Sequence, residues 1–333
     1  MSTPSSPSSP PSLGSENVDY IAEFAARVGA GVETVLQGKR ETVRLALVCL
    51  LAGGHLLVED VPGTGKTSLA RALAQSVSGT SHRIQFTPDL LPTDITGTSV
   101  WDQRTATFEF HEGPIFANVV VADEINRASP KTQSALLEVM EESRVTVDGT
   151  GYPVPSPFLV VATQNPIDLE GTYRLPEAQL DRFLMRISVG YPAQDVEEQL
   201  LLQRAAGPTK PVPAIASLDQ VRWIQEAVAR VHVAAPIAGY ITRLAAATRQ
   251  APGLRLGVST RGSLALLRAA QAYAACEGRH YVVPDDVRIV LPHVVTHRLV
   301  LTAQAEVRGT TADGVLAETM AAVPVPDAPA ASR

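Results

Sequence analysis

Residues 62–68 have the types and spacing that the binding of a phosphate chain requires. Gly63 and Gly65 lie in a turn that follows an apolar run, and Lys66 and Thr67 open a helical pattern. Glycines allow backbone N–H groups to turn towards phosphates, and the helix start adds a positive dipole end. We expect Lys66 to reach the β- and γ-phosphates and the Thr67 hydroxyl to bind Mg²⁺. The predicted nucleotide contacts in this stretch are Pro62, Gly63, Thr64, Gly65, Lys66, Thr67 and Ser68.

One position departs from the usual phosphate-binding pattern G-x-x-x-x-G-K-[ST]. Asp60 stands where the first glycine is usual. We interpret this position as the beginning of the turn, outside the part that cradles phosphate. The stretch is therefore a variant P-loop, and its interpretation depends on support from other parts of the chain.

Two acids and one amide stand at the ends of two further apolar runs. The run 118–122 ends in Asp123 and Glu124, and the run 158–163 leads into Asn165. We expect Asp123 to hold Mg²⁺, through water, and Glu124 to polarise an attacking water as general base. The Asn165 amide is placed to bond the γ-phosphate and that water, although an isolated asparagine is more often a turn residue.

Five apolar stretches predict the strands that position these side chains. They alternate with helical patterns, which is typical of an α/β domain whose mainly parallel sheet is flanked by helices on both faces. Ligands of such sheets bind where the strands end, and the P-loop, Asp123 and Asn165 all fall there. The predicted strands are 56–59, 83–86, 118–124, 158–163 and 184–189.

Two hairpins are predicted to project from this core, within about 87–116 and 143–157. Residues 98–101 and 107–110 alternate in polarity around a polar turn, and a second turn signal lies at 148–151. An ordinary surface excursion would give the same pattern. A connection as long as 87–116 is more often functional than idle.

The character of the chain changes after about residue 191. Helical patterns follow one another with little strand pattern between them, which predicts a separate, all-helical domain. The predicted organisation is a disordered Ser/Pro-rich tail at 1–16, the α/β core at 17–191, a connecting helix and linker at 192–213, the helical domain at 214–320 and a frayed tail at 321–333.

Charge and composition narrow the class of function. The net charge is -6 at pH 7 and the pI is about 5.7, which argues against a general nucleic-acid binder with a basic surface. Cys49 and Cys276 are isolated, without the spacing of a disulfide framework or a zinc site. No signal peptide or membrane span is predicted, so we expect a cytoplasmic protein.

Taken in order, four motifs resemble those of the MoxR family of AAA+ ATPases, over roughly 17–307. The motifs are Val61-Pro62-Gly63-Thr64-Gly65-Lys66-Thr67, Val121-Ala122-Asp123-Glu124-Ile125-Asn126-Arg127, Ala162-Thr163-Gln164-Asn165-Pro166 and Leu175-Pro176-Glu177-Ala178-Gln179-Leu180-Asp181-Arg182-Phe183. The resemblance implies an AAA+ P-loop core followed by an all-α lid, with ATP and Mg²⁺ as ligands.

The resemblance also implies roles for individual residues. Asn165 matches the sensor 1 residue, and Arg182 matches the arginine finger that enters a neighbouring subunit's site. Arg261 matches the sensor 2 residue, which would contact the γ-phosphate in cis. Gln37 and Gly38 match the adenine contacts, beside Lys39 where family members commonly carry glutamine. The two hairpins correspond to the family's helix-2 insert and pre-sensor-1 insert.

Two functional classes remain open for what the hydrolysis drives. The resemblance favours a ring, expected to be a hexamer, that remodels or matures protein clients in a chaperone-like manner with a von Willebrand factor A domain partner. The alternative is an AAA+ nucleic-acid motor, which the acidic pI disfavours. A nucleotide-binding scaffold without turnover is disfavoured because the predicted catalytic residues Glu124, Asn165, Arg182 and Arg261 are all present.

Overall fold

The computed structural model describes residues 14–61, 63–165, 172–207 and 212–326. The strands are β1 Leu56–Glu59, β2 Ser81–Gln85, β3 Gly97–Asp102, β4 Thr107–Glu112, β5 Val119–Asp123, β6 Arg144–Val147, β7 Thr150–Pro153, β8 Leu159–Gln164, β9 Met185–Ile187, β10 Leu254–Leu256 and β11 Val300–Leu301. The α-helices are α1 Ser15–Glu33, α2 Arg40–Leu51, α3 Lys66–Ser76, α4 Pro92–Thr96, α5 Pro130–Glu142, α6 Glu177–Leu180, α7 Gln194–Ala206, α8 Leu218–Val228, α9 Ala235–Gln250, α10 Thr260–Cys276, α11 Pro284–Val295, α12 Ala303–Val307 and α13 Ala312–Ala322.

A five-stranded parallel sheet is the scaffold of the site. Its strand order is β2-β5-β8-β1-β9. All five strands therefore end at one edge, here called the carboxyl edge, and begin at the other, here called the amino edge. The P-loop follows β1, Glu124 follows β5 and Asn165 follows β8, so three neighbouring strands bring the predicted residues to the carboxyl edge. The predicted α/β fold is confirmed.

Alternate side chains of the strands pack into two different cores. Leu56 and Val58 of β1 join the core that includes α1 to α3 and the buried faces of α8 to α11. Leu57, between them, points to the opposite core, which includes α5. Because both faces of the sheet are covered, its strands read as nearly continuous apolar runs.

Both predicted hairpins are present. Strands β3 and β4 pair antiparallel with Trp101 opposite Phe108, and β6 pairs with β7. The second turn is shorter than the sequence suggested. Asp148 and Gly149 alone make it, with φ values of 50° and 79°, the left-handed conformation of a two-residue hairpin turn.

The helical domain contains one feature that the sequence did not predict. Strands β10 and β11 form a short antiparallel pair between its helices, so this domain is not entirely helical. Strands of three and two residues are too short to show a period-two pattern, which is why the pair was not predicted. Among the described residues, no helix is both long and apolar enough to cross a membrane.

The predicted tails need two corrections. Helix α1 begins at Ser15, inside the predicted N-terminal tail. Helix α13 continues to Ala322, and Val323 is buried in the core, so packing extends into the predicted C-terminal tail. Pro62, Pro166, part of the linker and the remainder of both tails lie outside the described residues.

Candidate active site

The P-loop has the conformation that a phosphate cradle needs. Gly63 and Gly65 adopt φ values of 86° and 94°, which favour glycine. Helix α3 begins at Lys66, and no side chain caps its first N–H groups. Lys66 Nζ donates to the carbonyl oxygens of Asp60 and Val61 at 2.7 and 3.0 Å. Uncapped helix N–H groups and a lysine turned into the loop fit a bound triphosphate.

Asp60 anchors the beginning of the P-loop to the segment 188–190. Its Oδ2 atom accepts hydrogen bonds from the backbone N–H groups of Val189 and Gly190, at 2.8 and 2.5 Å, and from the Ser188 hydroxyl at 3.2 Å. Its Oδ1 atom accepts from the N–H of Val61. Burial acts to raise the pKa of Asp60, but these hydrogen bonds outweigh it and hold the pKa below its usual value. A glycine at position 60 would supply none of these bonds.

The turn predicted to hold adenine packs on helix α7. Gln37 Nε2 donates to Gln203 Oε1 at 2.8 Å. Gly38 has a φ of 72°, and a Cβ atom there would lie 3.2 Å from Val196 Cγ2. Lys39 Nζ donates to the carbonyl oxygen of Tyr191 at 2.7 Å. The lysine therefore ties this turn to the residues that follow β9.

Thr163 orients both acids at the end of β5. Its hydroxyl donates to Asp123 Oδ1 at 2.5 Å and accepts from the N–H of Glu124 at 2.9 Å. Arg83 pairs with the other carboxylate oxygen of Asp123 at 2.6 Å. Asp123 is thus held at the carboxyl edge by two neighbouring strands, β8 and β2.

Glu124 has a left-handed backbone conformation, with φ 57° and ψ 50°. This conformation is uncommon for a residue with a side chain and clusters at functional sites. Its Oε2 atom accepts from Gln85 Nε2 at 3.0 Å and pairs with Arg127 Nε at 3.1 Å. These contacts fix the carboxylate at the carboxyl edge, beside Asp123.

Asn165 and the residues predicted to bind Mg²⁺ complete this edge. Asn165 is buried and follows β8, the strand between β5 and β1. Thr67 lies in the first turn of α3. No cluster of three or more His, Cys, Asp or Glu side chains suited to a metal occurs within the described ranges. Asp123 and Thr67 fit Mg²⁺, which binds to few protein ligands when substrate phosphates supply the others.

The arginines Arg182 and Arg261 lie elsewhere. Arg182 Nη2 and Arg261 Nη2 pair with the two carboxylate oxygens of Glu141, at 3.0 and 2.5 Å. Glu141 is at the end of α5, where the carbonyl of Met140 bonds the Nε2 atom of His55, the residue before β1. Both arginines line a cavity of about 690 Å³ at the amino edge, with Glu141 and His55.

This position bears on the γ-phosphate contact in cis that was predicted for Arg261. The amino edge is separated from the P-loop by the length of β1, about 13 Å. The helical domain is docked there because Arg298, buried in it, donates to Asp181 Oδ1 at 2.7 Å and to the carbonyl of Phe183. Arg261 therefore does not reach the phosphate site of its own chain in this structure, so the predicted contact in cis is not made here.

Four residues that contact the predicted site residues had no predicted role: Arg83, Gln85, Thr163 and Glu141. Arg83 and Gln85 are two positions apart on β2, and Thr163 of β8 is two positions before Asn165, which follows that strand. This polar period at the strand ends was a signal that could have pointed to them. Glu141 gave no such signal, because an acid at an exposed helix end is ordinary in sequence.

Comparison with known proteins identifies both parts of the chain. Residues 55–185 match a family model described as ATPase family associated with various cellular activities (AAA), and residues 246–319 match the AAA lid domain. The chain is 48% identical to Bacillus subtilis YeaC over 92% of this chain and 97% of that protein. It is 43% identical to Chaperone MoxR1 of Mycobacterium tuberculosis, over 89% of this chain and 80% of that one.

Two further similarities cover nearly the whole chain. Protein MoxR of Paracoccus denitrificans is 35% identical over 93% of this chain and 98% of its own. A crystal structure from Cytophaga hutchinsonii matches with a TM-score of 0.87 and 37% identity, covering 94% of this chain and 98% of that one. The similarity thus includes the core and the helical domain together.

Proposed function

The chain belongs to the MoxR family of AAA+ ATPases, and on that basis we propose that it hydrolyses ATP at a site completed by a second copy of itself. One observation carries the proposal. The P-loop, Asp123, Glu124 and Asn165 lie at the carboxyl edge of the sheet, whereas Arg182 and Arg261 lie at the amino edge. In the proposed head-to-tail contact, a neighbouring subunit brings the two halves together.

Within one subunit, each residue at the carboxyl edge has a distinct task. Lys66 leaves the loop carbonyls to bind the β- and γ-phosphates. Glu124 accepts the proton of the attacking water, and the Asn165 amide orients that water against the γ-phosphate. Mg²⁺, held by Thr67 and Asp123, supplies charge neutralisation of the phosphates when bound. Thr163 holds Asp123 and Glu124 in position through its two hydrogen bonds.

The neighbouring subunit supplies the positive charge for the transition state. Arg182 and Arg261 lie side by side on Glu141, so both enter the same site in trans. An arginine finger of this kind is worth roughly 10³–10⁵ in turnover. Repeated head-to-tail contacts close into a ring when the rotation permits, and we propose a hexamer.

We propose that this ring remodels or matures protein clients, together with a von Willebrand factor A domain partner. The β3–β4 hairpin exposes Trp101 and Phe108, whose ring centroids lie 5.1 Å apart. Its acids Asp102, Glu109 and Glu112 outnumber its single Arg104, which suits an apolar polypeptide better than a nucleic acid. The relative from Mycobacterium tuberculosis is named a chaperone. The free thiols of Cys49 and Cys276 are consistent with the proposed cytoplasmic location.

Steady-state ATPase assays with Mg²⁺ test the proposal. The wild-type protein should hydrolyse ATP, and Glu124→Gln should bind ATP with almost no turnover. An unfolded model protein such as casein should stimulate the wild-type rate, whereas single- or double-stranded DNA should not. Stimulation by DNA alone would favour the nucleic-acid motor, and absence of turnover under all conditions would contradict the proposed activity.

A further inference from the structure

Glu141 joins two arginines that belong to different parts of the chain. Arg182 follows α6 in the core, and Arg261 lies in the first turn of α10 in the helical domain. Glu141 Oε2 pairs with Arg182 Nη2, and Glu141 Oε1 pairs with Arg261 Nη2. Each guanidinium carries five N–H donors and uses one terminal nitrogen here, so donors remain for phosphate oxygens without loss of either pair.

A carboxylate suits this bridge better than an amide. Two guanidinium groups placed side by side repel each other unless an anion lies between them. A glutamine would present one acceptor oxygen and one NH₂ group, and the NH₂ would face a donor of the second arginine. A carboxylate gives each arginine its own acceptor oxygen and supplies the negative charge that offsets their repulsion.

Exposure indicates that the bridge contributes little to stability. The side chains of Arg182, Arg261 and Glu141 are 29%, 46% and 39% exposed. Ion pairs with this much contact with water are weak, since solvent screens them. The bridge nevertheless stands on a rigid element, because Ser129 caps the beginning of α5 and Leu136, Leu137 and Met140 are buried beneath it. A fixed carboxylate on a rigid helix suits the positioning of other groups.

We infer that Glu141 is a positioning residue, which sets the spacing and direction of Arg182 and Arg261 for the nucleotide of a neighbouring subunit. This inference rests on the proposed function, in which both arginines act in trans. Glu141 does not touch the nucleotide itself. It aligns the core arginine with the arginine of the helical domain, so that the two reach one γ-phosphate as a pair.

Glu141→Gln tests this inference, with Glu142→Gln as a matched control. Glu142 is the next residue on the same helix and makes only a loose contact with Arg144, at 3.9 Å. We expect Glu141→Gln to lower kcat about tenfold through misplaced arginines, with KM for ATP within about twofold because the P-loop is intact. Glu142→Gln should keep the wild-type kcat. Glu141→Asp keeps both oxygens and should retain more activity than Glu141→Gln.

Mixed rings separate positioning from a structural defect. A Glu141→Gln subunit keeps its P-loop, and a Lys66→Ala subunit keeps its arginine face. Their mixture should therefore exceed the sum of the two separate rates, because some P-loops then meet an intact Glu141. Wild-type kcat in Glu141→Gln, or no gain on mixing, would overturn the inference. If Arg182→Ala also turned over at the wild-type rate, the proposed function itself would be at fault.

Discussion

Asp60 and Lys39, 21 positions apart in sequence, bind the same short segment after β9. Asp60 accepts from the backbone N–H groups of Val189 and Gly190, and Lys39 donates to the carbonyl of Tyr191. Asp60 stands where the usual phosphate-binding pattern has glycine. Their shared contact indicates that the P-loop and the turn at Gln37 and Gly38 are held together through segment 188–191.

Replacing Asp60 by glycine, the usual P-loop residue, should therefore be harmful. The change leaves the N–H groups of Val189 and Gly190 without their acceptor. We expect the free energy of unfolding to fall by about 2 kcal/mol, since hydrogen bonds to charged groups are among the stronger ones. Urea denaturation measures this change. A variant as stable as the wild type would contradict the anchoring role.

The same carboxylate should make stability depend on pH in the acid range. The folded-state pKa of Asp60 is depressed, so its contribution is present above the unfolded pKa, about 3.9. That contribution is lost as pH falls through the folded-state pKa. We expect the free energy of unfolding of the wild type to exceed that of Asp60→Asn by a constant margin between about pH 6 and 8. This margin should shrink in acid. A margin that grows on acidification would contradict this assignment.

Arg83→Ala should strengthen metal binding. Arg83 places a positive charge on Asp123, where Mg²⁺ is proposed to bind, and like charges disfavour each other. Removing this charge should lower the Mg²⁺ concentration for half-maximal turnover about fivefold. This corresponds to about 1 kcal/mol of metal-binding free energy. Mn²⁺ binding, followed by electron paramagnetic resonance, gives a second readout. Arg104→Ala, at an exposed pair with Asp102, is the control. Weaker metal binding in Arg83→Ala would show that Arg83 supports the metal site.

Two phenylalanines of one hairpin should respond differently to mutation. Phe108 is 70% exposed, whereas Phe110 stacks on Tyr152 of the second hairpin at 4.1 Å. Phe108→Ala should keep the free energy of unfolding within about 0.5 kcal/mol of the wild-type value. The same variant should lose the stimulation of its ATPase rate by unfolded protein. Phe110→Ala should lower the free energy of unfolding by about 1 kcal/mol or more. Retained stimulation in Phe108→Ala would remove the hairpin tip from the proposed client surface.

Local sequence patterns were sufficient to predict the carboxyl edge of the site. Apolar runs bounded by glycines, acids or an amide locate where buried strands end, and parallel strands end at one edge. Lys66, Asp123, Glu124 and Asn165 could therefore be placed at one edge from local patterns alone. The hairpins were predictable for the same reason, since their alternation and turn residues are local.

The amino edge could not be predicted in this way. Where Arg261 lies depends on how the helical domain docks, and that docking rests on contacts between residues far apart, such as Arg298 with Asp181. No local pattern encodes such a contact. For the same reason no local pattern indicated that Glu141 pairs with both arginines, or that Asp60 anchors the segment after β9.

Mixing Arg261→Ala with Lys66→Ala subunits tests the central claim most directly. Each variant alone should be nearly inactive. In a mixture, the intact P-loop of an Arg261→Ala subunit meets the intact Arg261 of a Lys66→Ala neighbour, so activity should return. At equal amounts about a quarter of the wild-type rate is expected, as half the P-loops are intact and half of those face an intact arginine. No recovery at any ratio, in rings shown to exchange subunits, would contradict a site shared between subunits.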